Sequence, residues 1–318
     1  MRTRYGPPEV VRVAEVPSPE PGPDELLVRV HATTVNRTDC AYREGTPYVT
    51  RLAFGFPNPR ARVLGTEFAG TVERTGGGVT SFAAGDRVFG YVEGRFGAHA
   101  EFLTVPEHAS VARVPDGVTF PCAAAATEGA HYALAFMRVA ATRAGQDVLV
   151  LGASGGIGSA AVQLLKAGGV TVTAVTRGHA DLVAGLGADR VVDAAAEAVP
   201  DDGRRYDAVF DAVGKSSFGR ARKHLRPSGV YVSSELGSGA QNIPLSLISP
   251  VVRGRRVRFP FPRHDQAMIQ GLAALLADGR FRPLIDRHHP LDRIVEAYEY
   301  VESGQKVGNV VVDVVPPH

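Results

Sequence analysis

Residues 147–169, DVLVLGASGGIGSAAVQLLKAGG, restrict what this chain can fold into more than any other stretch. Asp147–Leu151 is a continuous apolar run, the kind that forms a parallel strand buried on both faces. Gly152–Gly158 read as a tight turn and Ser159–Ala167 as the helix that follows it. Inside the turn, Ala153, Gly155 and Gly158 keep the Gly-x-Gly-x-x-Gly spacing with Ala in the first place. Small residues there let the chain turn sharply, bring backbone close to a pyrophosphate and pack the helix tightly on the strand. N–H groups at the helix start then hold the phosphate. The stretch predicts a dinucleotide site formed by Gly152, Ala153, Ser154, Gly155, Gly156, Ile157 and Gly158.

Downstream, Thr171–Val175, Arg190–Asp193, Asp207–Asp211 and Val230–Ser233 are apolar segments alternating with helical ones. That alternation predicts an α/β fold with a doubly wound parallel sheet. At the end of its second strand a NAD site places a carboxylate for the ribose 2′-OH. Here Thr176 and Arg177 stand there instead, and Asp181 falls in the next helix. Arg177 suits a 2′-phosphate through charge-assisted hydrogen bonds, or it is a solvated arginine. The favoured cofactor is NADPH, with NADH left open.

Residues 1–115 follow another pattern. Leu26, Val28, Val30 and Ala32 alternate as in a half-buried strand, after the Pro-rich connector VPSPEPGPDE. EFAGTVERTG, DRVFGYV and AHAEFLTV follow as short strands, so a partly closed barrel or sandwich is expected. PCAAAATEGAHYALAFMRVA is helical in composition. Two amphipathic helices close the chain, one on Met268, Ile269, Leu272, Leu275 and Leu276, the other on Ile294, Val295, Tyr298 and Val301. Asp265 and Asp292 occupy N-cap positions, and Gly279 and Gly304 the stops. The last segment, VGNVVVDV, is a strand whose partner is expected in the β-rich first part.

Composition narrows the function classes. The 318 residues correspond to about two domains, and a net charge of +2 supplies no field for gripping nucleic acid or a membrane. Arg253, Arg255, Arg256 and Arg258 cluster, yet without an interleaved aromatic platform they read as a solvated turn before the last strand of the parallel sheet. Cys40 and Cys122 make neither a disulfide framework nor a four-thiolate metal site. No apolar run is long enough for a bilayer and no signal peptide is visible, so a cytoplasmic protein is expected.

In their order along the chain, VRVHATTVNRTD (28–39), LGTEFAG (64–70), GDRVFG (85–90), GASGGIG, FDAVG (210–214) and GNVVV resemble the zinc-free, quinone-oxidoreductase-like branch of the medium-chain dehydrogenase/reductases. The resemblance implies a Rossmann sheet inserted in a GroES-like β-barrel. Its domains are 1–116, 117–255 and a return over 256–318. It adds Asn36, Val213, Gly214, Ser234 and Asn309 to the cofactor site, and implies a homodimer. Zinc alcohol dehydrogenases of this superfamily have Cys where Asn36 stands and His where Thr66 stands, so no zinc is expected. The implied acceptors are quinones or carbon–carbon double bonds conjugated to a carbonyl, already polarised for hydride; a zinc-independent alcohol or aldehyde dehydrogenase and a non-catalytic NADPH-binding protein are the alternatives.

Related reductases often carry a Tyr two residues after the Gly matching Gly45; here Tyr48 stands one position later. Another family Tyr falls on Ala41, beside Tyr42. The insert 47–62 either lines the substrate cleft or has no contact role. Glu128 and His131, spaced i, i+3 beside the implied nicotinamide, are either an acid/base pair or a local hydrogen bond. His99 is expected to be structural. A Tyr common near the adenosine phosphate maps to Ala194 and a helical Lys to Asp181, leaving Arg177 nearly alone. The chain reaches YGPPEVV so early that the family's usual first strand is expected to be short or absent.

Overall fold

The computed structural model describes residues 1–194, 202–235, 237, 241–248 and 254–315. Contacts divide the chain into two units, Met1–Thr127 with His264–His318, and Glu128–Arg263. In the first unit β1 (Glu25–Val35) is followed by α1 (Arg37–Glu44), α2 (Thr50–Phe54), β2 (Glu67–Thr75), β3 (Arg87–Tyr91), β4 (Phe102–Pro106), β5 (Val111–Arg113) and α3 (Phe120–Ala125). β1 is buried along most of its length rather than on one face, because it pairs with β2 and β4 and carries α3. Its side chains Leu26, Val28 and Val30 meet Phe68, Val88 and Val105 in one apolar core.

The second unit runs α4 (Glu128–Ala140), β6 (Asp147–Leu151), α5 (Gly156–Ala167), β7 (Thr171–Thr176), α6 (Ala180–Gly185), β8 (Arg190–Asp193), β9 (Tyr206–Asp211), α7 (Phe218–Ala221), β10 (Leu225–Ser233), α8 (Asn242–Ile248) and β11 (Arg256–Arg258). Its six strands are all parallel, in the order β11-β10-β9-β6-β7-β8. Winding reverses between β6 and β9, which opens a crevice at the carboxyl ends of the strands. The helical stretch after Pro115 is two helices, split at Ala126–Thr127. In the arginine cluster Arg256–Arg258 are themselves the edge strand, with Val257 buried between them, and not a turn; Arg253 lies outside the described residues.

The chain then returns to the first unit as α9 (Gln266–Ala277), β12 (Ile285–Pro290), α10 (Ile294–Glu302) and β13 (Asn309–Asp313). Asp265 caps α9 through the Met268 N–H. Asp292 caps nothing, because a 3-10 turn over Leu291–Arg293 leads straight into α10. β13 pairs antiparallel with β1, Val310 opposite Val35 and Val312 opposite Thr33, so the last strand finds the partner expected for it. Val310 and Val312 pack on Tyr298 and Val301 of α10. Among the described residues no helix is long and apolar enough to cross a membrane.

The fully buried Val312 should matter far more than the half-exposed Val16. Val312→Ala is expected to cost about 2 kcal/mol and Val16→Ala under about 0.5 kcal/mol in denaturant titrations.

Candidate functional site

In the second unit the predicted cofactor residues converge at the carboxyl ends of β6, β7, β9 and β10. Gly152 has φ +76°, and a Cβ there would meet Val213 Cγ1 at 2.5 Å. A Cβ on Gly158 would lie 2.1 Å from the Gly152 carbonyl oxygen, so α5 rests on the end of β6 only because this residue is glycine. α5 begins at Gly156, earlier than the sequence predicts, with Gly155 as its N-cap. Its first-turn N–H groups lack partners from a preceding turn and form an anion-binding end. Gly129 of α4 lies against the same turn, where a Cβ would meet the Gly156 carbonyl oxygen at 2.6 Å.

Asp211, fully buried at the end of β9, fixes the neighbouring loop. It accepts hydrogen bonds from the N–H groups of Val213 (3.3 Å), Gly214 (2.9 Å) and Ser216 (2.9 Å), and from the Tyr231 hydroxyl (2.9 Å). Burial and that acceptor push the Tyr231 phenol up. The Ser234 N–H donates to the Asp211 carbonyl at 3.2 Å. At the end of β7 the Thr176 hydroxyl is buried with no partner among the described residues, next to exposed Arg177. A hydroxyl with no partner among the described residues beside an exposed cation, and a turn with no room for a side chain at Gly152 and Gly158, fit a dinucleotide with a phosphorylated ribose.

The first unit holds a buried polar cluster where β1 runs into α1. The Asn36 side-chain oxygen accepts from the Asp39 N–H (2.8 Å), and Asp39 accepts from the Asn36 N–H (3.2 Å), a reciprocal capping box. The Asn36 amide nitrogen donates to Thr66 Oγ1 (3.2 Å) and Glu67 Oε2 (3.3 Å), so both its hydrogens are engaged. Glu67, fully buried, also accepts from the Thr34 hydroxyl and from Thr127 Oγ1 at 2.5 Å. Burial, and then the Glu67 charge, push the Asp39 carboxyl well up, so it stays protonated far above the usual carboxylate range. His99 Nε2 donates to the Thr34 carbonyl at 2.8 Å, and burial lowers its pKa to about 4, leaving a neutral ring whose Nδ1 faces the Tyr298 hydroxyl.

The other predicted residues are dispersed. Tyr48 is 72% exposed, its ring under the Arg51 guanidinium, and Tyr42 donates to Glu93 at 2.8 Å. Glu128 and His131 are both buried on the first turns of α4. Asn309 stands one step beyond the Val35–Val310 pair, at the Asn36 end of that ladder, and donates to the Leu284 carbonyl at 3.0 Å. Sequence reasoning missed the central place of Glu67, Asp39, Thr34 and Thr127. The available signals were an Asn-x-x-Asp capping spacing and a glutamate placed directly before the apolar stretch 68–70.

Two family models match the chain. Residues 22–116 match the alcohol dehydrogenase GroES-like domain, and residues 186–312 match the zinc-binding dehydrogenase family. The chain is 31% identical to a quinone oxidoreductase of Pseudomonas aeruginosa, over 97% of each protein. It belongs to the quinone-oxidoreductase-like medium-chain dehydrogenase/reductases. Within that family it is 30% identical to an NADPH-dependent alkenal/one oxidoreductase of Arabidopsis thaliana, over 98% of this chain and 78% of that one. A solved mycobacterial relative, complexed with NADPH, superposes with a TM-score of 0.78 at 27% identity and covers 98% of each chain.

The zinc that one matched family takes its name from does not fit the residues present. Asn36 and Thr66 offer an amide and a hydroxyl, and the Glu67 carboxylate beside them already receives three side-chain donors. A catalytic zinc needs three His, Cys or carboxylate ligands. Among the described residues no group of three or more His, Cys, Asp and Glu is arranged so that it could hold a metal ion.

Two substitutions test the cluster. Glu67→Ala strands three donors and is expected to cost at least about 3 kcal/mol in denaturant titrations. Asp39 is protonated in the folded protein while its unfolded counterpart ionises near its ordinary value, so wild-type stability falls as pH rises from about 4 toward the raised folded value. Asp39→Asn should therefore gain on wild type over that window, by about 1.4 kcal/mol for each pH unit crossed, in denaturant titrations repeated across pH.

Proposed function

We propose that this chain transfers hydride from NADPH to a quinone or an α,β-unsaturated carbonyl without a metal ion. The observation that carries the reading is the donor set at Asn36, Thr66 and Glu67, which offers no Lewis-acid site beside an otherwise typical medium-chain fold. Simple ketones and aldehydes gain most from a Lewis acid, whereas quinones and enones are already polarised. The relatives' names point the same way, and the NADPH complex of a relative supports the cofactor.

The bound nicotinamide supplies the hydride, which reaches the acceptor with a proton still to be added. In this chain the glycine turn and the α5 N-terminus would hold the pyrophosphate, while Thr176 and Arg177 would hold the ribose phosphate. Val213 and Gly214 would close the loop beside the turn. Both donors of the Asn36 amide are spent on Thr66 and Glu67, so we assign Asn36 to shaping the site and not to donating a proton. Glu128 and His131 are the proposed acid/base pair, supported by their burial on α4 beside the turn at Gly156. Tyr48 is proposed only as an outer contact for substrate. We also propose a cytoplasmic homodimer; two free cysteines and the place of β11 as the last strand of the parallel sheet among the described residues support it.

NADPH consumption with naphthoquinones, enones and aldehydes tests the reading. Turnover is expected with the first two classes; turnover confined to aldehydes would make this an alcohol dehydrogenase, and binding without consumption would make it a non-enzymatic NADPH protein. Arg177→Asp should lower the NADPH-to-NADH ratio of kcat/KM by about ten- to a hundredfold, the worth of one charge-assisted hydrogen bond to phosphate. An unchanged ratio would remove Arg177 from the site.

A further inference from the structure

The ribose end of the cofactor site holds a carboxylate, and it comes from the third strand of the sheet's second half and not from the second. In the parallel ladder of β7 and β8, Asp193 stands opposite Thr176, and the Ala194 N–H donates to the Thr176 carbonyl at 2.9 Å. The Asp193 side chain reaches back over the end of β7, where its Oδ1 accepts a hydrogen bond from the Gly178 N–H at 2.8 Å. Gly178 has φ +72°, a left-handed turn that glycine adopts without strain. An exposed carboxylate thus pins the turn that presents the exposed Arg177.

Two charged groups at this corner are unused. Among the described residues the second Asp193 oxygen, Oδ2, accepts no hydrogen bond, and Arg177 forms no ion pair with Asp193 or with any other carboxylate. The Thr176 hydroxyl beside them has no partner there either. Arg177 and Asp193 flank one rung of the ladder, yet they stay unpaired and present opposite charges to the same incoming group. A ribose 2′-OH is a donor and suits the carboxylate. A 2′-phosphate suits the guanidinium and is opposed by the carboxylate.

Resting on the dinucleotide reading above, we propose that Asp193 is a cofactor-selecting residue that keeps the site open to NADH. Its Oδ1 positions Arg177 through the Gly178 N–H, its Oδ2 accepts the 2′-OH of NADH, and its charge works against the phosphate of NADPH. Asp193 does from β8 what the carboxylate of a NAD site does from the second strand, while Arg177 holds the phosphate in competition with it. The preference for NADPH is set by the difference between these two charges and is smaller than Arg177 alone would give.

The probes are 2′,5′-ADP and 5′-AMP, which carry the two kinds of ribose without a nicotinamide, so the result does not depend on what the enzyme reduces. Their binding to the full chain is measured by isothermal titration calorimetry for wild type, Asp193→Asn and Asp193→Ala. Asn keeps an oxygen for the Gly178 N–H and puts an amide donor where the charge was. Asp193→Asn should therefore tighten 2′,5′-ADP about tenfold and weaken 5′-AMP about threefold, with the melting temperature unchanged. Asp193→Ala also releases the Gly178 N–H, so it should weaken 5′-AMP likewise but tighten 2′,5′-ADP by less than about threefold. Binding of both probes with an unchanged ratio in Asp193→Asn would overturn this inference alone. A gain in Asp193→Ala as large as in Asp193→Asn would overturn the positioning of Arg177. Binding of neither probe by wild type would overturn the inference together with the dinucleotide reading.

Discussion

The fully buried carboxylate of Glu67 is the constraint around which the first unit is arranged. A charge with no water must be met by donors, and here they come from three directions: Thr34 from β1, Asn36 from the cap of α1 and Thr127 from the break between α3 and α4. Each donor is held by an element with its own reason to be there. β1 is fixed by β2, β4 and β13, and α1 by its capping box. Asp39 lies beside Glu67, and burial and the Glu67 charge push its carboxyl well up despite the hydrogen bond it accepts from the Asn36 N–H.

The same cluster bears on the proposal that this framework works without a metal. Superfamily enzymes that keep zinc need thiolate and imidazole where this chain has Asn36 and Thr66. Once these residues are an amide and a hydroxyl, Glu67 is no longer free to serve a cation and becomes the acceptor of a closed hydrogen-bond network. Closure also affects Asn36, whose side chain is fixed and whose amide donors are spent on Thr66 and Glu67. The second unit needs no such adjustment. Its cofactor end depends on close approach at Gly152 and Gly158 and on the Asp211 carboxylate that ties down the Val213–Gly214 loop.

The parallel sheet was the most legible part of the chain, because strands buried on both faces must be apolar runs and their turns must be small. Of the five segments read there, Asp147–Leu151 and Arg190–Asp193 coincide with their strands and the other three lie within longer ones. β13 was legible as a strand without a partner. Less was legible where a contact joins residues distant in sequence. Nothing near Thr127 signals that its hydroxyl meets Glu67, and the alternation in β1 hides the fact that Leu27 is buried too. Asp292 was misread because a 3-10 turn and an N-cap present the same residues. Tyr48 was chosen because it stands one position from where related reductases carry a Tyr, and the loop that holds it leaves it exposed.

The central claim is that this medium-chain fold works with no metal at the Asn36, Thr66 and Glu67 position. The most direct measurement is naphthoquinone reduction by NADPH, before and after exhaustive chelation, with the zinc content of the same samples determined. The account predicts unchanged turnover and far less than one zinc per chain. Turnover lost on chelation and restored by added zinc would contradict it.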